Sequence, residues 1–150
     1  MVDTAAVKAA AKAKAEADAK KTVIASSFED GKNNTPENTI DGNPGTYWST
    51  DEKNPWIRYT LEKEIKLGQI GITWYQGSER VYPFEVEFSF DAQVWQQVYQ
   101  GKSRQEDGME TYEFDSATAN YVRIRCHGNN VTEFSAIHEV RIDGLKPQQK

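Results

Sequence analysis

The chain is predicted to fold as an all-β antiparallel sandwich behind an N-terminal segment of different composition. Three observations point there. From Thr22 onward, short runs alternate apolar and polar side chains, the period of two that gives a strand one buried and one solvated face. Turn clusters rich in Gly, Asn, Asp and Ser separate these runs, as antiparallel strands with short connections require. Four Trp, seven Tyr and six Phe supply the bulk of a core, although the mean hydropathy is only −0.78.

At 150 residues the chain accommodates one domain and an appendage. The appendage is residues 1–21. Its "TAAVKAAAKAKAEADAKK" (4–21) contains no Gly or Pro and is made of strong helix formers. Val7 is the one large apolar residue in that stretch, so a helix here has no face to bury. Two readings stand side by side, a semi-rigid helical spacer toward another domain and a disordered tail. The β-domain spans 22–145, and "KPQQK" (146–150) is a short C-terminal tail.

Within the domain the strand candidates are "TVIASSF", "WIRYTL", "IGITW", "FEVEFSF", "WQQVYQ", "TYEFD", "YVRIRC" and "IHEVRI". In "FEVEFSF" the alternation puts Phe84, Val86, Phe88 and Phe90 on one face and Glu85, Glu87 and Ser89 on the other. In "YVRIRC" it turns Val122, Ile124 and Cys126 inward and Arg123 and Arg125 outward. Cys126 then reads as a small buried hydrophobe rather than a nucleophile. Trp95 is expected to pack against the sheets.

Charge and motif content narrow the function. A net charge of −5 and a pI near 5.1 lack the electrostatic footprint of phosphate-backbone binding, so nucleic acid is not the expected partner. A single cysteine excludes an internal disulfide and a multi-cysteine zinc site. No zinc, nucleophile-elbow or phosphate-loop motif appears, and the acidic residues on alternating strands read as solvated faces rather than a catalytic pair. No catalytic residues are assigned. No run reaches the roughly 18 apolar residues of a spanning helix, and no secretory h-region is present.

One loop asks for more than a turn. "ENTIDGNPGTYWST" (37–50) follows the carboxylate Asp41 with Gly42, Pro44 and Gly45, which allow a chain to curl its carbonyls inward. Asp41 either caps a turn through an Asx hydrogen bond or contributes to a cage of hard oxygens around a calcium ion. Trp48, just beyond, is expected in the core.

In this order, "PENTIDGNPGTYWST", "WIRYTLEKEIKLGQIGI", "FEVEFSFDAQVWQQV", "YVRIRCHGNN" and "AIHEVRIDG" resemble the discoidin or coagulation-factor type C family. The nearest likeness within it is to family 32 carbohydrate-binding modules of bacterial polysaccharide-degrading enzymes. The resemblance spans residues 22–144 and implies a jelly-roll-like, galactose-binding-domain-like sandwich of about eight main strands with no catalytic site. It also implies a structural calcium (Ca2+), held by the backbone carbonyls of Asn38, Asn43 and His138, the carboxylates of Asp41 and Glu139, and Thr46. Two carboxylates match the charge of the ion.

A sugar site needs an aromatic platform and polar groups that reach the hydroxyls. The loop after "ITW" offers Tyr75, Gln76, Glu79, Arg80 and Tyr82, and the loop after "RIRC" offers His127, Asn129, Asn130 and Phe134. In the expected sandwich both loops leave strands at the same end. Arg80 suits a sugar carboxylate, with Glu79 either orienting it or accepting from hydroxyls. A solvated Glu79–Arg80 surface pair is the competing reading, and His127 as an ordinary loop residue stands equally beside its site role. Galactose-binding relatives carry a His where this chain has Ser49, and an Arg where it has Tyr75-Gln76. The likeness runs instead to modules attached to lyases of uronate polymers such as alginate.

The function expected is therefore non-catalytic binding of an acidic polysaccharide or oligosaccharide. A catalytic domain is expected on the same parent chain, in a bacterial extracellular setting with the signal peptide absent from these residues. Discoidin-like adhesion to a membrane or protein, and neutral galactoside binding, are the alternatives. The candidate loops are polar apart from Tyr75 and Phe134, and the chain is acidic, which disfavours insertion into anionic lipid.

Overall fold

The computed structural model describes residues 21–146. Residues 1–20, where the spacer is expected, and 147–150 of the expected tail lie outside the described residues. Seven strands form the domain: β1 Val23–Ala25, β2 Trp48–Thr50, β3 Trp56–Trp74, β4 Pro83–Ser89, β5 Gln96–Lys102, β6 Glu110–Cys126 and β7 Ser135–Arg141. Two 3-10 turns, Asp30–Lys32 and Pro36–Ile40, lie between β1 and β2. All pairings are antiparallel, in the order β2-β7-β3-β6-β4-β5 with β1 added to β3.

The expected all-β fold is present, but its strands are fewer and longer. "WIRYTL" and "IGITW" belong to one strand, β3, and "TYEFD" and "YVRIRC" to one strand, β6. The β3–β6 ladder slips register between Thr60 and Ile65 and again between Leu67 and Gln69. Such irregularities bend and twist a strand pair, letting each strand serve two layers. The first half of β3 pairs with β1 and the last half of β6, which continues into β4 and β5. Its second half pairs with the first half of β6 and with β7, which continues into β2. Gly68 sits at the bend, where a Cβ would come within 2.8 Å of Ser116 Oγ.

Between the layers lies a core that includes Trp48, Ile57, Tyr59, Ile72, Trp74, Phe84, Val86, Ile124 and Ile137, all essentially buried. Fully burying each such aliphatic side chain stabilises by roughly 1.5–3 kcal/mol. Aromatic contacts join the layers: Phe84 meets the edge of Tyr112 at 4.7 Å and Trp74 at 5.2 Å between ring centroids. Val122, Ile124 and Cys126 point inward as the alternation requires, and burial pushes the Cys126 thiol pKa up, keeping it neutral.

Phe90 departs from the expected face. β4 ends at Ser89, whose hydroxyl accepts from the amides of Asp91 and Ala92, and Phe90 turns out to 57% exposure while Ser89 is buried. The turn breaks the period of two one residue too early for Phe90 to follow it. Trp95 packs on the outer face, under the Arg123 guanidinium at 4.1 Å from its ring centroid.

The fold gathers five chain segments at one end. β3 ends at Trp74 opposite Ile137 of β7, Thr50 of β2 lies opposite Ser135, and Phe84, the second residue of β4, lies opposite Cys126. The loops 75–82 and 127–134 and the stretch 26–47 therefore meet above that end.

Candidate functional site

A cleft of about 150 Å³ opens there, lined by Glu29, Lys32, Tyr47, Ser49, Tyr75, Arg80, Thr132, Phe134 and Ala136. Its floor is aromatic. The Tyr47 and Tyr75 rings lie 4.6 Å apart between centroids, and the Arg80 guanidinium stands 5.4 Å from the Tyr75 ring. A cation over an aromatic face is electrostatically favoured, and it holds the guanidinium beside the cleft. The cleft also carries Glu29, which accepts hydrogen bonds from the Ser49 hydroxyl and Asn34 Nδ2 and pairs with Lys32 Nζ. The Ser49 hydroxyl, ahead of its other neighbours, holds the Glu29 carboxyl below the usual carboxylate range. The cleft thus sets two cations, a fixed carboxylate and an aromatic floor around a space the size of one sugar ring.

The structure brings Tyr75, Arg80 and Phe134 together and separates the other expected ligand residues. Tyr82 is a correction: it is fully buried, stacks on Trp74 at 4.6 Å and donates its hydroxyl to the Tyr75 carbonyl. It supports the floor from beneath, and burial pushes its pKa up to about 12. Gln76 occupies a left-handed turn position at φ 49°, its amide 3.4 Å from the Tyr75 hydroxyl. Glu79 is exposed and forms no ion pair with Arg80.

His127 and Asn129 line a neighbouring depression with Asp51, Glu52, Asn54 and Glu133, not the cleft. His127 is held between Asn54 and Glu85. Asn129 spends its polar atoms inside its own loop, accepting from the amides of Val131 and Thr132 and donating to the Phe134 carbonyl. Asn130 accepts from the Val81 amide and latches the two loops together. Sequence reasoning missed Glu29, Lys32, Tyr47, Ser49 and Thr132 as lining residues. For Tyr47 a signal existed, since the residue beside a buried Trp48 in extended chain faces the other way.

Beneath the floor runs a polar relay. Trp74 Nε1 donates to the Tyr112 hydroxyl at 2.8 Å, which donates to buried Glu110 Oε1 at 2.8 Å. Glu110 also accepts from the backbone amides of Arg104 at 2.7 Å and Glu106 at 3.3 Å. A buried carboxylate is tolerable when its lone pairs are used in this way.

Beside the cleft, the 38–46 loop converges its oxygens. Thr46 Oγ1 lies 2.6 Å from Asp41 Oδ2, 3.0 Å from the Asn43 carbonyl and 3.3 Å from the Asn38 carbonyl. One hydroxyl proton cannot serve three acceptors. Asp41 Oδ1 accepts from the Asn43 amide at 2.8 Å, so the Asx turn exists alongside the cluster. Gly42 makes the curl possible at φ 74°. Glu139, from β7, lies against Asp41, and its Oε1 is buried without a hydrogen-bond partner. Burial first, then the Asp41 carboxylate, push the Glu139 carboxyl up to about 7.

An orphaned carboxylate oxygen beside a second carboxylate and three neutral oxygens suits a hard divalent cation. The donors gathered here are all oxygens, a set that matches hard cations such as calcium rather than the nitrogen- and sulfur-seeking transition metals. The His138 side chain meets the loop, donating from Nδ1 to the Thr46 carbonyl at 2.9 Å.

The model of the F5/8 type C domain matches residues 22–140. The solved structure "CBM32 of AlyQ in complex with 4,5-unsaturated mannuronic acid" is 35% identical, with a TM-score of 0.74 over 79% of this chain and 90% of that one. A truncated AlyQ with CBM32 and alginate lyase domains is 33% identical over 85% of this chain, TM-score 0.76, but the match covers only 32% of that longer protein. A pectin-binding carbohydrate-binding module is 28% identical, with a TM-score of 0.77 over 85% of this chain and 92% of that one. Comparison with curated protein sequences returns no match.

Proposed function

The chain belongs to the F5/8 type C, or discoidin, domain family and is a carbohydrate-binding module of the family 32 type; we propose that its ligand is an acidic, uronate-containing glycan, bound in the Tyr47–Tyr75–Arg80 cleft without being cleaved. The observation that carries this reading is the state of Arg80. No carboxylate of the described residues forms an ion pair with Arg80, which leans on Tyr75 at the cleft mouth. In a protein of net charge −5, a guanidinium kept clear of carboxylates is positioned for an anion from outside. The sugar ring lies on Tyr47 and Tyr75, its carboxylate meets Arg80 and Lys32, and Glu29 accepts from its hydroxyls. The relatives named for mannuronate and pectin support the same chemistry.

A calcium ion held by Asp41, Glu139, Thr46 and the carbonyls of Asn38, Asn43 and His138 ties the 38–46 loop to β7; when bound it supplies charge neutralisation for the two carboxylates. The module serves a polysaccharide-degrading enzyme on a longer secreted chain, whose catalytic domain cuts the polymer that this domain holds. The test is an affinity-gel or calorimetric comparison of alginate, pectin and neutral galactan oligosaccharides. Retention by the uronates alone is the expected result, and preference for galactan overturns the assignment.

A further inference from the structure

We infer that the calcium loop and the sugar cleft are energetically coupled through Tyr47 and His138, so that calcium tightens glycan binding and glycan tightens calcium binding by the same factor; this rests on the calcium and glycan readings above. The two sites share chain as well as neighbourhood. Thr46, whose hydroxyl belongs to the oxygen cluster, is followed directly by Tyr47, half of the cleft floor. The Tyr47 carbonyl accepts from Asn38 Nδ2 at 3.0 Å, and Asn38 gives its own carbonyl to the cluster. Tyr47 is thus anchored at its carbonyl by one member of the cluster and joined at its amide to another.

The second connection runs through β7. Glu139 is the cluster's buried carboxylate, and His138 beside it donates to the Thr46 carbonyl at 2.9 Å. The His138 ring contacts both floor residues, Tyr47 at 5.4 Å and Tyr75 at 5.6 Å between centroids. Tyr75 in turn sits under Arg80 and donates its backbone amide to the Ala136 carbonyl of β7, the strand that carries His138. Any shift of Thr46 or Glu139 on loss of the ion is therefore carried by direct bonds and contacts into the Tyr47–His138–Tyr75 stack. A ring stack organised before the sugar arrives saves the ordering cost at binding. Because coupling is a free energy between sites, it must appear equally in both affinities.

The experiment uses the full 150-residue chain and a short unsaturated oligomannuronate made by lyase digestion. Short chains and stoichiometric calcium are needed, because long uronate polymers bind calcium themselves. Sugar affinity is measured on calcium-loaded and metal-free protein, with circular dichroism establishing that the metal-free form is folded. Calcium affinity is then measured with and without saturating sugar, an arm that holds even if the metal-free form unfolds. The expected result is a change of about five-fold or more, equal in the two directions within error. In His138→Ala the ratio of the two sugar affinities falls toward one, whatever the absolute affinities. If both ligands bind but neither alters the other's affinity, the coupling is overturned and the binding assignments stand. If calcium or the oligomannuronate does not bind at all, the underlying reading fails and the coupling with it.

Discussion

Tyr47 rests against Tyr75 with 4.6 Å between ring centroids, although one residue leaves the 38–46 loop and the other opens the turn after β3. Together they make the floor on which a sugar ring would lie. Tyr47→Ala is expected to weaken oligouronate binding about three- to ten-fold, the equivalent of losing an aromatic contact of about 0.5–1.5 kcal/mol. Both rings are only half-buried, so the melting temperature should change little. Paired titration and melting of the variant separate the two effects.

Removing calcium should destabilise the domain. Metal that binds only the folded state contributes about 2.7 kcal/mol when free ion is 100-fold above Kd. Loss of that term lowers the melting temperature by on the order of ten degrees for a domain of this size. Asp41→Ala is expected to melt like the chelated wild type and to show no further response to EDTA. Equal melting curves for wild type with and without EDTA contradict a calcium site.

The metal-free protein should show a pH dependence of definite sign. Glu139 has its pKa pushed up to about 7 in the folded state, against an ordinary value of 4.5. The folded chain therefore keeps a proton that the unfolded chain releases, and the stability this contributes is complete below pH 4.5 and lost as pH rises through 7. Metal-free wild type is expected to lose stability relative to Glu139→Gln between pH 5 and 8. Calcium removes that trend, because it requires the carboxylate in its deprotonated form. Melting curves across this range check both statements.

Glu110 is expected to matter for stability without touching a ligand. Its carboxylate accepts from the Tyr112 hydroxyl and from the Arg104 and Glu106 amides. In Glu110→Gln the amide nitrogen cannot accept, so a buried donor is left unpaired at a cost of about 1–3 kcal/mol. A fall in melting temperature with calcium response retained is the expected outcome.

The sheet faces were legible because alternation survives wherever a strand is straight. Val86, Phe88, Val122 and Ile124 obey it. The number of strands was not, because the β3–β6 register slips reset the phase inside one strand and make it read as two. Phe90 failed for a related reason: a turn set by Ser89 ended the pattern. Tyr82 was readable and misread, since the period that buries Phe84 and Val86 also buries a residue two positions before Phe84. One part of the cleft lining was not legible at all. Glu29 and Lys32 reach it through a turn closed by the Glu29–Asn34 bridge, a tertiary event with no local signature.

In the proposed complex Arg80 receives a carboxylate from outside the protein. The most direct test of that contact is calorimetric titration of wild type and Arg80→Ala with an oligomannuronate and a neutral galacto-oligosaccharide of equal length. Losing one charge-assisted contact costs about 1.5–3 kcal/mol, so uronate binding by Arg80→Ala should fall roughly ten- to a hundred-fold. Its calcium-dependent melting should remain as in wild type. Undiminished uronate binding by Arg80→Ala, or wild-type binding of the neutral sugar alone, contradicts an acidic-glycan site at Arg80.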